Sequence, residues 1–300
     1  MSLDWSTRKE RGNQWWLTFM RVLALRGGRR LTRLCLYPAV AWFLLFARRE
    51  QRCVLDFRRR AQTQAPRWRD VVRTYWNFGS VTLDRVFLVS GRDRTLDVRV
   101  PVPLRDFHND RHGAILLGAH FGSFFAMRAL ARRREDLDIH ILLYPEHNAR
   151  MTRALAALDP ALAGKHIALG SPDVLMRLHE RIEAGSFVAA LADRVGPGDT
   201  HTLEYSFLGS PARFATGIFE AALVLGCPVL FFAGLYRGGN RYDLLFERLS
   251  DGAQVPRRER AAATAELMGK YVACLERHAR SVPDNWFNFY DYWGADAARE

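Results

Sequence analysis

Four short apolar segments, separated by stretches with helical spacing, do most to limit the folds open to this chain. The segments that we predict as β-strands are Ile115–Gly118, Ile139–Leu143, Phe187–Leu191 and 229–232. The predicted helices between them span residues 123–133, 149–158, 173–184 and 216–225. Strands that alternate with helices are typical of a sheet covered by helices. The alternation therefore predicts an α/β fold with a mixed or mostly parallel central sheet.

Two further regions complete the predicted organisation. Apolar spacing over residues 65–88 predicts one or two helices, and residues 260–280 predict a long helix before an aromatic tail. The 300 residues are 49% apolar, enough for a sizeable core, and no repeat or flexible linker divides them. We predict a helical, membrane-associated N-terminal segment over residues 1–60 and one α/β domain over residues 61–300.

The N-terminal segment contains an uncharged run, residues 34–47, with arginines close to both ends. This run is shorter than the roughly 20 residues that a membrane-spanning helix needs. An apolar segment between basic flanks is typical of helices that lie in the interface of an anionic membrane. We expect peripheral or monotopic attachment at the cytoplasmic face; the alternative is a buried core helix of ordinary length.

Charge limits the partners of this chain. The net charge of +12 and the pI near 10.1 favour phospholipid headgroups, an acidic carrier protein or nucleic acid. Almost all of the positive charge is arginine, which binds phosphate and carboxylate through paired hydrogen bonds, although genome base composition also explains this usage. The arginines are scattered and no nucleic-acid recognition motif is present, so we expect no nucleic-acid partner.

Cysteine and histidine spacing predicts no metal centre. The four cysteines are far apart and form no CxxC pair, which favours a reduced cytosolic setting over disulfides or zinc. His108 and His112 are four positions apart but lack the glutamate that zinc proteases place between them.

The segment ILLGAHFGSFFAM, residues 115–127, is the strongest candidate for chemistry. The predicted strand delivers His120 into a turn that contains Gly122 and Ser123. A histidine at the end of a strand is suited to general base catalysis because its pKa lies near neutral pH. The alternative is a core histidine whose nitrogens bond to the backbone.

Four blocks of this chain together resemble the lysophospholipid acyltransferase superfamily, and most closely its branch related to the bacterial lipid A biosynthesis (lauroyl/myristoyl) acyltransferases. The blocks are GAILLGAHFGSFFAMRAL around His120, LADRVGPGD at 191–199, FLGSPARFATG at 207–217 and CPVLFFAGLY at 227–236. The ending PDNWFNFYDYW and the N-terminal apolar segment are also similar to this branch. The resemblance covers nearly the whole chain.

The resemblance implies an α/β acyltransferase core, with an apolar cleft for an acyl chain, docked on the inner membrane. It implies that His120 acts as general base in moving an acyl group from an acyl carrier protein (or CoA) thioester to a lipid or small polar acceptor. The expected partners are acyl carrier protein, the phospholipid membrane surface and the acceptor. No cofactor and no metal is expected beyond the acyl thioester, which is the donor substrate.

One position departs from the superfamily's H-x4-D/E signature, in which the carboxylate orients the histidine: here it is Phe125. Three alternatives are open. Another acid replaces the missing one in space, Asp193 or Glu146 being the candidates because both follow predicted strands. Otherwise His120 acts alone on an easy acceptor such as an amine, or the protein binds lipid or acyl carrier protein without catalysing transfer.

The expected catalytic residues are thus His120 and Asp193. The expected substrate-binding residues are Ser123, which lies in the turn, and Phe125, Glu146, Arg194 and Arg213. Arg194 is expected to hold a phosphate or the oxyanion, and Arg213 matches the block that contacts the acceptor headgroup in the relatives. The alternative for Asp193 and Arg194 is an ordinary surface ion pair, and the alternative for Arg213 is a solvated loop arginine.

Two sets of neighbouring residues are expected to contact the acyl chain and its carrier. Phe124, Phe125 and Phe214 are candidates for the wall of the acyl groove, although aromatic residues at such spacing also pack in cores. The arginines at 132–134 are a candidate docking patch for an acidic carrier protein, or else a solvated helix end.

Overall fold

The structure, a computed structural model, describes residues 14–101, 113–133, 137–143, 158–159, 164–196 and 199–294. It has an α/β fold with a mostly parallel sheet of seven strands and a separate two-stranded sheet. The strands are β1 Asp97–Arg99, β2 Ile115–Gly118, β3 Ile139–Leu143, β4 His166–Ala168, β5 Phe187–Leu191, β6 Thr202–Phe207, β7 Ser210–Ala215, β8 Val229–Tyr236 and β9 Arg241–Ser250. The helices are α1 Gln14–Leu34, α2 Leu36–Phe46, α3 Arg48–Ala61, α4 Trp68–Ser90, α5 Ala126–Arg133, α6 Val174–Glu183, α7 Gly217–Leu225 and α8 Arg260–Ser281.

The large sheet has the strand order β1-β9-β8-β2-β5-β3-β4. Strands β8, β2, β5, β3 and β4 are parallel, whereas β9 runs antiparallel to β8 and β1 follows the direction of β9. The carboxyl ends of the five parallel strands therefore meet at one edge of the sheet. In open α/β sheets this edge is where ligands bind.

Strand β2 shows why the central strands are apolar on both faces. Ile115 and Leu117 belong to the core on one face, which α6, α7 and α8 cover, while Leu116 belongs to the core on the other face, beneath α4 and α5. Each of these three side chains is fully buried. A strand covered on both faces has no polar face, so it forms a continuous apolar run rather than an alternating one.

The predicted strands and helices that fall within the described residues are present with modest changes of length. The bounds of β2, β3 and β5 are as predicted, whereas the predicted strand 229–232 extends to Tyr236 because β9 pairs along its full length. The predicted helix 123–133 begins three residues later, and residues 65–88 form the single helix α4. The predicted helix 149–158 falls almost entirely outside the described residues.

The N-terminal helices pack on α4 and carry the uncharged run. Gly28 breaks the helical geometry of α1 with φ 71°, and a turn at Cys35 starts α2, which holds Pro38 in its first turn, where proline is tolerated. No helix in the described part of the chain is both long and apolar enough to cross a membrane. The outward face of α2, which we call the α2 surface, consists of Tyr37, Trp42, Phe43, Leu45 and Phe46, all exposed.

Candidate active site

The sheet register brings His120 and Asp193 together. Strands β2 and β5 are parallel neighbours, and Gly118 at the end of β2 lies opposite Leu191 at the end of β5. His120 and Asp193 each follow two residues later, at the carboxyl edge of the sheet. Two residues with no relation in sequence spacing are thus delivered to one point by strand pairing alone.

The two side chains form a hydrogen-bonded pair. His120 Nδ1 lies 2.9 Å from Asp193 Oδ1, and the His120 backbone N–H donates to Asp193 Oδ2 over 3.1 Å. Because an ionised carboxylate can only accept, Nδ1 carries the proton and Nε2 of the neutral ring is left as an acceptor. Nε2 has no hydrogen-bond partner within the described ranges.

Burial divides the pair into an enclosed acid and an accessible base. The Asp193 side chain is 1% exposed, whereas 35% of the His120 side chain is exposed. The ring therefore reaches solvent while the group that orients it does not. Two acids were expected to replace the missing carboxylate. Asp193 lies at hydrogen-bond distance from the His120 ring, and Glu146 lies outside the described residues.

The electrostatic setting favours a neutral imidazole beside an ionised acid. Burial, together with the nearby Arg194 guanidinium, lowers the pKa of His120 below its usual value despite the opposing effect of Asp193. Burial alone would raise the pKa of Asp193, but attraction to His120 and the hydrogen bonds from it outweigh burial and lower that pKa. A neutral imidazole at neutral pH is the form that can accept a proton.

The turn after His120 lies against β8 at a distance that only glycine permits. Gly122 has φ 68°, and a Cβ atom there would lie 2.1 Å from the Gly234 carbonyl oxygen. The Ser123 N–H donates to that same oxygen over 2.7 Å, and the Gly122 N–H donates to the carbonyl of Asn285 over 2.7 Å. These contacts fix the chain that follows His120.

The segment after α8 supports the pair from the other side. The indole N–H of Trp286 donates to Asp193 Oδ2 over 3.4 Å, and the Tyr292 hydroxyl donates to the Asp193 carbonyl over 2.8 Å. The Phe287 N–H donates to the His120 carbonyl over 3.0 Å. No role for these residues was predicted from the sequence; their only signal was an aromatic tail similar to that of the resembled branch.

Two arginines flank the pair. The Arg194 guanidinium lies 5.0 Å from the centre of the Tyr290 ring and donates to the carbonyl of Phe287 over 3.3 Å. Arg85 on α4, which the sequence analysis missed, lies 4.9 Å from the centre of the Phe125 ring and also acts to lower the pKa of His120. The side chain where the signature has an acid is therefore covered by a cation, at the distance of a cation–π contact.

The remaining expected site residues are not gathered at the pair. Ser123 is 2% exposed, and its hydroxyl has no hydrogen-bond partner among the described residues, so its part in this structure is that of a buried turn residue. Arg213 on β7 is largely exposed and lies 4.0 Å from the exposed Glu204 on β6. Its side chain has no polar contact with His120 or Asp193 within the described part of the chain.

The structure separates the three phenylalanines that we predicted for the wall of the acyl groove. Phe214 is fully buried in the core, where its ring contacts Tyr205 and Phe207 edge-on, and this position excludes a groove-lining role in this conformation. Phe124 and Phe125 do line a cavity, but its volume is about 30 Å³, the space of roughly one water molecule. That cavity is too small for an acyl chain.

Among the residues that the structure describes, one other cluster has the residue types of a metal site. Glu247, Cys274 and His278 bring a carboxylate, a thiol and an imidazole within 4.8 Å of one another. The carboxylate already accepts hydrogen bonds from Arg277 and from the imidazole, and Cys274 Sγ lies 3.6 Å from it. Burial raises the pKa of the thiol, which opposes the thiolate that a metal would require. These contacts account for the cluster as an ion-pair network.

The arginine patch at 132–134 is described only in part. Arg132 donates to the carbonyl of Leu88 over 2.9 Å and to Asp159 over 2.8 Å, so it is engaged within the protein. The side chain of residue 133 and the whole of residue 134 lie outside the described part, and the predicted carrier-docking patch stays a prediction.

Comparison with known proteins does not assign this chain to a family. No protein-family model matches the chain, and a search of curated proteins finds no significant match. The functional conclusion therefore depends on the geometry of the site and on the sequence resemblance.

Proposed function

We propose that this protein is a membrane-associated acyltransferase that moves an acyl group from an acyl carrier protein or CoA thioester to a lipid or small polar acceptor. The observation that supports this most is the His120–Asp193 pair, in which a buried acid holds the inner ring nitrogen and leaves the outer one free to accept a proton. Of the three alternatives that the missing signature acid left open, replacement by another acid, here Asp193, is the one that favours catalysis.

The resemblance to the lysophospholipid acyltransferase superfamily supports the same proposal. Its signature requires a histidine oriented by a carboxylate, and Asp193 stands at hydrogen-bond distance where the chain has Phe125 at the usual position. Under this proposal the oriented histidine is retained and only the source of the acid differs.

The proposed reaction is a direct transfer in one site. His120 Nε2 takes the proton from the acceptor hydroxyl or amine as its oxygen or nitrogen attacks the thioester carbonyl carbon. The resulting tetrahedral intermediate expels the carrier thiolate as the carbon–sulfur bond breaks. The imidazolium then returns its proton to that sulfur, so the products are the acylated acceptor and the free carrier thiol.

The neighbours of His120 have defined parts in this proposal. Asp193 keeps the imidazole in the tautomer that presents Nε2 and stabilises the imidazolium formed during attack. Arg194 and Arg85 add positive potential that keeps the resting imidazole neutral. The same potential favours the negative charge that develops on the carbonyl oxygen.

The α2 surface supports docking of this site on a membrane. Exposed aromatic and aliphatic side chains with arginines nearby are typical of interfacial helices. Phe43 of the α2 surface stacks on Tyr75, with ring centroids 6.0 Å apart, and Tyr75 stacks on Phe289 at 5.1 Å. Two residues before Phe289, Phe287 bonds to the His120 carbonyl. The surface and the pair are thus joined by packed aromatic side chains and by the backbone between Phe287 and Phe289.

A second candidate function is binding of lipid or acyl carrier protein without acyl transfer. The observation that favours it is Phe125 at the signature position of the acid, beside a cavity of only about 30 Å³ that does not hold the acyl chain of a transfer reaction in this conformation. This candidate predicts that replacing His120 does not change the binding of lipid or acyl carrier protein.

The test is acyl transfer from defined acyl carrier protein and CoA thioesters into a membrane extract, with product lipid and released thiol measured together. The proposal predicts equal amounts of thiol and acylated product from the wild type, and neither above background from His120→Ala. Equal product from both proteins would remove His120 from the chemistry. Retained binding to vesicles or carrier protein without any transfer would establish the second candidate.

A further inference from the structure

A second concave site lies where helix α1 meets the turn between β8 and β9. Its volume is about 660 Å³, within the range of roughly 300–1,000 Å³ found for small-ligand sites. We call it the Arg30 pocket; the lining residues that matter here are Gly28, Arg30, Arg33, Thr95, Gly239 and Asn240. The lining contains arginine but no carboxylate, which makes it suited to an anion.

The charges of the pocket are only partly compensated. Arg29, which also lines the pocket, donates to both carboxylate oxygens of the buried Asp84, over 2.7 and 2.8 Å, so its charge is neutralised. Arg33 donates to the Gly239 carbonyl over 2.7 Å, a contact that leaves its positive charge in place. Arg30 is exposed and has no ion pair within the described ranges. Two positive charges therefore line the pocket without a counterion from the described residues.

The pocket is built by backbone contacts rather than by a chance gap. Gly28 interrupts α1 with φ 71°, and the Thr32 hydroxyl donates to its carbonyl over 2.7 Å. On the opposite wall, the Asn240 side-chain amide donates to the carbonyl of Thr95 over 2.7 Å. Asp97, two residues beyond Thr95, is paired with Arg99 at 2.6 Å and does not line the pocket.

The pocket adjoins the α2 surface. Leu31 and Leu34, which follow Arg30 on α1, are exposed, so the helix that supplies the cations also presents apolar side chains. The Arg33 guanidinium lies 5.7 Å from the centre of the Trp76 ring, which in turn contacts Tyr37 of the α2 surface at 4.8 Å. A cationic pocket beside exposed apolar side chains matches the boundary between headgroups and acyl chains in a bilayer.

We propose that the Arg30 pocket binds the phosphate of an anionic phospholipid headgroup when the α2 surface enters the membrane. Arg30 and Arg33 supply charge-assisted hydrogen bonds to the phosphate oxygens, and Gly28 leaves the pocket wall without a side chain. The inference rests on the membrane association in the proposed function, but not on acyl transfer. A lipid rather than a free phosphate is the occupant because exposed apolar side chains adjoin the pocket.

The test measures sedimentation with phosphatidylcholine vesicles that contain phosphatidylglycerol. Thr95→Glu places a carboxylate in the pocket, and Thr95→Gln is the matched control of similar size without charge. Thr95 is exposed, so both variants are expected to fold, which circular dichroism checks. We expect Thr95→Glu and Arg30→Gln to weaken vesicle binding by about tenfold or more, and Thr95→Gln by no more than about twofold. This tenfold loss of vesicle binding is larger than the roughly fivefold loss that removing one cation near an anionic surface would cause.

Arg26→Gln separates a pocket from general attraction, because Arg26 is exposed on the same helix but outside the pocket. A loss for Thr95→Glu no greater than that for Arg26→Gln overturns the proposal. So does tight binding of glycerol 3-phosphate that Thr95→Glu abolishes while vesicle binding stays unchanged, which would make the occupant a soluble phosphate. Loss of acyl carrier protein binding with vesicle binding intact overturns it in favour of a protein partner.

The vesicle experiment does not depend on catalysis. If the wild type shows no acyl transfer and Thr95→Glu still loses vesicle binding, the lipid site stands and the proposed reaction fails. If transfer depends on His120 but Thr95→Glu binds vesicles as the wild type does, the reaction stands and the lipid site fails.

Discussion

Two histidine–carboxylate pairs in this protein have nearly the same composition and opposite exposure. In one, His120 is 35% exposed and its acid, Asp193, is 1% exposed. In the other, His278 is 12% exposed and Glu247 is 35% exposed, with the ring stacked on Phe231 at 5.3 Å. The first pair presents its base to solvent, and the second encloses it.

This difference in exposure shows that a histidine bonded to an acid is not by itself a catalytic site. Glu247 also accepts a hydrogen bond from Arg277, so its charge is shared with a partner that has no part in orienting a base. The buried acid of the first pair hydrogen-bonds to both the ring and the backbone of His120, and Trp286 and Tyr292 fix its position. We interpret the second pair as a structural link between β9 and α8.

The largest expected effect separates the two pairs directly. Under the proposed function, His120→Ala should lower acyl transfer by about 10³- to 10⁴-fold, the upper part of the range for a general base. His278→Ala, corrected for the folded fraction, should change the rate by no more than about twofold. The measurement is the initial rate of thiol release from an acyl carrier protein thioester. Comparable losses for the two variants would mean that the distinction between the pairs is wrong.

The acid should matter almost as much as the base. Asp193→Asn keeps the shape of the side chain but removes the charge that sets the tautomer, and we expect a loss of about 10³-fold in rate. Glu247→Gln is the matched change in the other pair and should leave the rate within about twofold. The same thiol-release assay applies, with thermal unfolding as a check of folding. A fully active Asp193→Asn protein would show that His120 works without an orienting acid.

A stability effect of intermediate size tests the support of the first pair. Asn285 is buried; its side-chain oxygen accepts the Tyr236 N–H over 2.7 Å and its amide donates to the Tyr236 carbonyl over 3.1 Å. Asn285→Ala leaves two buried backbone groups unsatisfied and should lower the free energy of unfolding by about 3 kcal/mol. Urea unfolding measures this change. The exposed Asn240→Ala is the control, at less than about 1 kcal/mol. Equal losses for the two variants would contradict the role given to the two Asn285–Tyr236 hydrogen bonds.

The smallest expected effect is a change in pH dependence. The rate should fall as the pH drops through the pKa of His120, because only the neutral ring accepts a proton. Since Arg194 helps to lower that pKa, Arg194→Gln should raise it and move the acid limb of kcat/KM to higher pH, by less than about one unit. Arg213→Gln, at an exposed arginine paired with Glu204, should leave the limb in place. A shift to lower pH in Arg194→Gln would contradict this electrostatic account.

The sequence predicted what local pattern can determine. Apolar runs gave the strands β2, β3 and β5, because a strand buried on both faces has a distinctive composition. The same rule could not find β9, whose burial alternates along the strand, or the hairpin of β6 and β7, which turns at Leu208 with φ 53° and Gly209 with φ 78°. Leucine at a positive φ carries no turn signal in the sequence.

The residues of the candidate site also fall into those that a local pattern predicted and those that depend on the tertiary structure. His120 was found from its position after a strand, and Asp193 was one of two candidate acids because it also follows a strand. The choice between them required the register of β2 against β5, which no local pattern encodes. Trp286 and Tyr292 were missed because they reach Asp193 across about 100 residues of sequence. Phe214 was misplaced because aromatic composition does not distinguish a groove wall from a core.

The last support for Asp193 comes late in the chain. A ribosome makes the N-terminal helices and the α2 surface first, and His120 and Asp193 well before the residues around Trp286 and Tyr292. Under the proposed membrane association, a nascent chain reaches the membrane while the donors that hold Asp193 are still untranslated. Order of synthesis would then delay activity until the polypeptide has found its location, a form of timing that needs no inhibitor.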